Sequence, residues 1–214
     1  MKVILITILL SYTLLITAQQ NTTFTIEGMT CESCAKTATK ALLEISGVDS
    51  VVVDFKTKLA LIVGVVNEDD ILNAMRSKTN FEVLFKGDSL LKPLPEKDKQ
   101  ELDIKTIKGG AKIKFKNHLV SGKITVFDFY ADWCGPCRVF SPKVEHFIKE
   151  NPDVSLRKVD IVNWQSALSK QLTKDYKMPA LPFILVFDDK GKLLGKVEGN
   201  HIEKVEKIVS NKSK

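Results

Sequence analysis

The chain has 214 residues, too many for one average small domain and enough for two. Its composition, 44% hydrophobic and 27% charged, is that of an ordinary globular protein and excludes a disordered or fibrous chain. The formal net charge is +6, but lysines alternate with Asp and Glu along the chain. That pattern reads as a solvated basic surface and argues against a nucleic-acid partner.

Met1 to Ala18 reads as a signal peptide, with a basic start at Lys2, an apolar run from Val3 to Leu15, and a small residue at Ala18 for the cut. The run is short for a membrane span, which needs about 20 apolar residues. The expectation is export, to a periplasm or the exterior, with an uncleaved leader acting as anchor the alternative. Thiols outside the cytoplasm are not kept reduced by the cytosolic pool, so redox-active cysteines there need an external thiol electron donor.

Residues 22–86 read as a first domain. Phe24-Thr25-Ile26 suggests a strand, and Gly28-Met29-Thr30-Cys31-Glu32-Ser33-Cys34 a loop that opens a helix. Ala38, Ala41, Leu42 and Ile45 give that helix an apolar stripe, and Gly47 ends it. Val51–Phe55 and Leu59–Val66 are strands, Asp69-Asp70 starts a second helix, and Glu82–Phe85 is a last strand. The order βαββαβ predicts an α+β, ferredoxin-like arrangement. Residues 87–102 read as a linker, interrupted by Pro93 and Pro95 and then strongly polar, with a short helix over Glu96–Leu102 as an alternative. A coil of that length separates its ends by only about 20–25 Å, close enough for the motifs on either side to meet.

Residues 103–210 read as a second α/β domain. A strand around Ile104–Ile107 and a segment through Phe115 and Leu119 precede the apolar run Ile124–Phe127. Asp128-Phe129-Tyr130-Ala131-Asp132-Trp133-Cys134-Gly135-Pro136-Cys137-Arg138 follows, and then a helical pattern through Val139, Phe140, Val144, Phe147 and Ile148. Cys134 therefore falls at a helix N-terminus, where free N–H groups and the dipole favour a thiolate. Pro136 suits the first turn, and Cys137 lies one turn on, within reach of a mixed disulfide at Cys134. Ser155–Asp160 is the next strand, Ala167–Tyr176 a helix, Phe183–Phe187 a buried strand, Lys192–Val197 its partner, and Ile202–Ser210 a closing helix.

All four cysteines lie in two C-x-x-C pairs, Cys31/Cys34 and Cys134/Cys137, which leaves none for a stapling framework. The WCGPC motif after its strand resembles the thioredoxin family. That resemblance implies a thioredoxin-like fold and a protein-disulfide reductase in which Cys134 is the nucleophile and Cys137 resolves. It also implies that Asp128 is a buried carboxylate under Cys137, that Lys158 pairs with it, and that Pro182 is the cis-proline beside the target chain. Trp133, Gly135, Pro136, Leu181 and Gly199 would line the substrate face, and Cys134–Cys137 would be the redox-active disulfide. Phe183 and Tyr130 depart from the common family residues.

G-M-T-C-x-x-C on the βαββαβ order resembles the heavy-metal-associated domain. Cys31 and Cys34 would then hold one soft cation, Cu(I) by preference, with Zn, Cd or Hg as alternatives. A second redox pair without metal remains open for them, and Met29 reads as a core residue. Trp133 reads as surface-facing. Trp164, Phe140 and Phe147 read as core or packing residues, and His118, His146 and His201 as surface residues without a metal role. The reading is an exported thiol-disulfide reductase with a tethered Cu(I)-type domain, serving metal or cuproprotein thiol homeostasis. The alternative is a metal carrier whose thioredoxin-like domain only docks or protects, and an oxidase or isomerase is a third. Expected partners are a protein disulfide, a thiol donor such as a membrane reductant transporter, and a copper protein or metal ATPase.

Overall fold

A computed structural model describes residues 20–212, so the signal peptide expected at residues 1–18 lies outside the described residues. Near the N-terminus, β1 (Asn21–Glu27) turns Phe24 and Ile26 inward, and α1 (Glu32–Leu43) lays Ala35, Ala38, Ala41 and Leu42 over them. β2 (Val48–Val53) and β3 (Leu59–Gly64) form a hairpin. α2 (Glu68–Lys78) starts where the Asn67 side chain accepts the Asp70 backbone N–H at 2.8 Å. Acids fill its first turn and bases its last, matching the helix dipole. β4 (Glu82–Leu84) then pairs with β1, completing the antiparallel sheet β2-β3-β1-β4 with both helices packed on it, the ferredoxin-like order. Gly47 and Gly64 let the hairpin close, because a Cβ on Gly64 would lie 2.1 Å from the Gly47 carbonyl oxygen.

The segment between the sheets is not a free coil. Leu94 is buried, and α3 (Glu96–Gln100) lies against the second domain. There β5 (Ile104–Ile107), a 3-10 turn at Phe115–His118, β6 (Ile124–Tyr130), α4 (Gly135–Glu150), β7 (Val154–Asp160), α5 (Ala167–Tyr176), β8 (Phe183–Phe187), β9 (Leu193–Glu198) and α6 (Ile202–Lys212) follow in order. The sheet order is β5-β7-β6-β8-β9, with β5, β7 and β6 parallel and β8 and β9 antiparallel. Both faces are covered, so β8 reads as the unbroken apolar run Phe183–Phe187, buried throughout. Phe127, Phe129, Phe183 and Leu185 face α5 and the Phe115 ring, while Val126, Leu156, Ile184 and Val186 face α4 and α6. This alternation puts Asp128 on the α4 side of β6. Among the described residues no helix is long and apolar enough to cross a membrane.

Candidate functional site

β6 ends at Tyr130, and the chain turns through Trp133 into α4, with Cys134 as the residue capping the helix. The Cys134 sulfur accepts the Cys137 backbone N–H at 3.2 Å, taking up one of the helix's orphan donors. Cys134 and Cys137 form a disulfide with Cα atoms 5.3 Å apart. Trp133 is 46% exposed, and its indole N–H donates to the Val162 carbonyl at 2.7 Å. Its ring lies 5.8 Å from that of Trp164. Trp164, expected as a core or packing residue, is 42% exposed and packs on Trp133 rather than in the core. Val162 holds φ +64°, a strained value for a β-branched residue.

Asp128 is 1% exposed, and its Oδ1 has no hydrogen-bond partner among the described residues. Burial pushes its carboxyl up to about 6, opposed by the charge of Lys158 and reinforced by that of Glu145. Asp128 and Lys158 sit side by side in the β6–β7 register, yet Lys158 does not pair with Asp128 as expected. Its Nζ donates to Glu145 Oε1 at 2.8 Å and to Ser141 Oγ at 2.6 Å. The reason is Glu145 itself. This carboxylate is buried on α4 and has to be neutralised, and it takes the nearer cation. Lys99 of α3 adds a second cation at 3.3 Å, and the Leu94 backbone N–H approaches at 3.4 Å. Burial alone would raise the Glu145 carboxyl, but the Lys158 bond and charge, with Lys99, hold it below the usual range. Glu145 was not among the expected site residues. Its signal is spacing, since it stands two turns after Cys137 and one after Ser141, on the helix face turned to the sheet.

The Leu181–Pro182 peptide is cis, at the residue where the resemblance put it, and the Pro182 carbonyl accepts the Gly199 N–H at 2.9 Å. Leu181 presents its carbonyl outward, and it receives the Asn80 side-chain amide at 3.2 Å.

In the first domain, Gly28 takes φ +93° and leads into the cysteine loop. Cys31 caps α1 without a side-chain hydrogen bond to it and is exposed, and Cys34 is half-buried. Their sulfurs lie 2.7 Å apart, with Ser33 Oγ 3.0 Å from Cys31. Hydrogen bonding with Cys34, then with Ser33, lowers the Cys31 thiol to about 7. Met29 is buried in the core. No cluster of three or more His, Cys, Asp or Glu side chains suited to a metal occurs among the described residues, so this lip offers two sulfurs only. Two thiolates at an exposed helix N-terminus suit a soft cation whose remaining coordination stays open.

The two cysteine loops meet. A Cβ placed on Gly135 would lie 2.1 Å from the Gly28 carbonyl oxygen and 2.7 Å from Thr30 Cγ2, and one on Gly28 would lie 3.3 Å from Pro136 Cα. Glu82 anchors the rim, accepting Lys143 Nζ and Asn200 Nδ2, each at 2.7 Å. A Cβ on Gly199 would strike Asn80 Oδ1 at 2.3 Å. Gly135, Pro136, Leu181 and Gly199, four of the five positions expected to face substrate, therefore carry contacts from the first domain. Trp133 is held on the other side by Val162.

Comparison with known proteins gives two family matches, "Heavy-metal-associated domain" over residues 23–82 and "Thioredoxin" over residues 107–211. A thioredoxin H-type of Fagopyrum esculentum is 35% identical over 92 residues, 43% of this chain and 67% of that one. Thioredoxin-1 of Saccharomyces cerevisiae is 33% identical, over 40% of this chain and 78% of its own. Among solved structures, oxidised mitochondrial thioredoxin 3 of Saccharomyces cerevisiae is 32% identical, covering 45% of this chain and 86% of its own at a TM-score of 0.38. The chain thus belongs to the thioredoxin family, as a protein-disulfide reductase with an N-terminal heavy-metal-associated domain.

Proposed function

We propose that this thiol-disulfide oxidoreductase works outside the cytoplasm, reduces disulfides of exported proteins, and carries Cu(I) on Cys31 and Cys34. Cys134, at a helix N-terminus, attacks the target disulfide and forms a mixed disulfide, and the target's other sulfur leaves as a thiolate. Cys137 then attacks Cys134, which regenerates the Cys134–Cys137 disulfide and frees the second target thiolate. Asp128, charged at neutral pH and buried without a partner, takes the proton of Cys137. Lys158 is steered by Glu145 and tempers the Asp128 charge without neutralising it. The backbone beside Pro182 pairs with the target's extended chain. An external thiol or reductase donor restores the dithiol. A membrane reductant transporter has the right chemistry, and a copper protein or metal ATPase would be the metal domain's counterpart.

The observation that carries the reductase reading is the buried, unpartnered Asp128 carboxylate on the α4 side of β6, behind a helix-capping Cys134. Insulin reduction driven by dithiothreitol tests it: Cys134→Ser should abolish turnover, and Cys137→Ser should accumulate a mixed disulfide. Persistent turnover in Cys134→Ser would leave the carrier reading, in which the second domain only docks. For the metal, Cu(I) titration against a competing chelator should show one site, lost in the Cys31→Ser, Cys34→Ser double variant. For export, N-terminal sequencing of the protein from the cell envelope should find a start close after Ala18, or an intact leader if it serves as anchor.

A further inference from the structure

We propose that the chain is its own substrate: a disulfide formed between Cys31 and Cys34 is reduced by Cys134 and Cys137 of the same molecule. This deepens the reductase reading and rests on it.

Three observations converge. The metal domain occupies the face a target would use, with Asn80 bonded to the carbonyl that precedes cis-Pro182. The contact is also aligned in sequence. Thr30 touches Gly135, and the neighbours of those two residues are Cys31 and Cys134. Finally, the Cys31 and Cys34 sulfurs stand 2.7 Å apart and need close by only about 0.7 Å to reach disulfide length. Such closure is expected wherever thiols are not kept reduced, and a disulfide cannot hold a soft cation.

The electron and proton balance closes within the chain. The Cys134 thiolate attacks the exposed Cys31 sulfur, the Cys31–Cys34 bond breaks, and Cys34 leaves as a thiolate. Cys137 gives its proton to the Asp128 carboxylate and attacks Cys134, the Cys134–Cys31 bond breaks, and Cys31 leaves as a thiolate. Two electrons have moved from one cysteine pair to the other. The Cys134–Cys137 disulfide is recharged by an external dithiol donor, as for any other target.

The test uses the full chain with Cys137→Ser and an oxidised Cys31–Cys34 pair, read by peptide mass spectrometry without reductant. The expected product is a Cys134–Cys31 cross-link within one molecule, with a yield unchanged by hundredfold dilution. A mixture of two full chains, one lacking Cys31 and Cys34 and the other lacking Cys134 and Cys137, supplies the rate between molecules. Tethering gives roughly millimolar effective concentration, so reaction within one chain should exceed that between micromolar chains by a hundredfold or more. Glu82→Arg, which removes the acceptor for Lys143 and Asn200, should slow the internal reaction while raising turnover of insulin. Equal rates within and between chains, or a yield that falls with dilution, would overturn the proposal and leave the reductase reading intact. Failure to reduce either the internal pair or insulin would overturn both.

Discussion

Replacing Asp128 with Asn should stabilise the second domain at neutral pH and fail to do so in acid. The carboxyl is fully buried, and burial lifts it from an ordinary 3.8 to about 6. The folded state therefore binds its proton more tightly than the unfolded chain does. The stability it contributes is complete below about pH 4, declines as pH rises through 6, and stays low above that. At about 1.36 kcal/mol per tenfold change in proton affinity, the charge costs about 3 kcal/mol at pH 7 and above. Asn removes that cost but buries an amide where Oδ1 already lacks a partner, a penalty of about 1–3 kcal/mol. The net expectation is a gain of up to about 2 kcal/mol at pH 8 that vanishes or reverses at pH 4. Urea unfolding of the oxidised full chain, followed by tryptophan fluorescence, is the assay, since both tryptophans, Trp133 and Trp164, lie in the second domain. A difference between variant and wild type that does not change between pH 4 and pH 8, or a variant destabilised equally at both ends, would refute the reasoning.

Glu145→Gln should free Lys158 to turn toward Asp128 and remove a charge that raises the Asp128 carboxyl. The pH dependence described above should then move to lower pH, at a cost of about 1–3 kcal/mol from the broken ion pair; an unmoved profile would show that Glu145 acts only as packing. Gly135→Ala places a Cβ 2.1 Å from the Gly28 carbonyl oxygen, so the metal domain should lift off, seen as a larger radius of gyration by small-angle X-ray scattering with both domains still folded. Val162→Asn should raise the stability of the second domain by about 1 kcal/mol, because Asn tolerates the left-handed backbone that Val162 adopts at φ +64°. Urea titration by tryptophan fluorescence measures that gain, with Cys134 and Cys137 kept oxidised.

The elements and both cysteine motifs were legible in the sequence because their signals are local. Gly28 before a helix, Pro136 in a first turn and the unbroken run Phe183–Phe187 each carry meaning within a few residues. The Lys158 partner was not legible. Strand register alone puts Lys158 beside Asp128, and only the packing of α4 and α3 over β7 brings in Glu145 as the stronger competitor. That Trp164 packs on Trp133 at the surface rather than in the core has no local signal either, since Trp133 is held there by the Val162 carbonyl. The meeting of the two domains rests on pairs far apart in the chain, such as Asn80 with Leu181, and has no local signature.

The anchored segment before β5 sets how far the metal domain can travel. The Lys92 carbonyl contacts the His146 ring nitrogen at 3.1 Å, Leu94 is buried, Asp98 accepts Lys149 and Lys99 reaches Glu145, so the chain from Lys92 onward moves with the second domain. What remains as a hinge is Lys86–Leu91, with Gly87 at φ +101° and nothing within 4 Å of where its Cβ would be. Six such residues span only about 13 Å on average, so a lifted metal domain hovers above its dock and falls back readily. A target protein seeking the face beside Pro182 then competes with an occupant that is seldom away. Its apparent affinity is its intrinsic affinity reduced by the fraction of time that face is open. Lengthening Lys86–Leu91 with Gly-Ser repeats would tune that fraction without touching a cysteine, making the hinge a volume control for traffic with the outside.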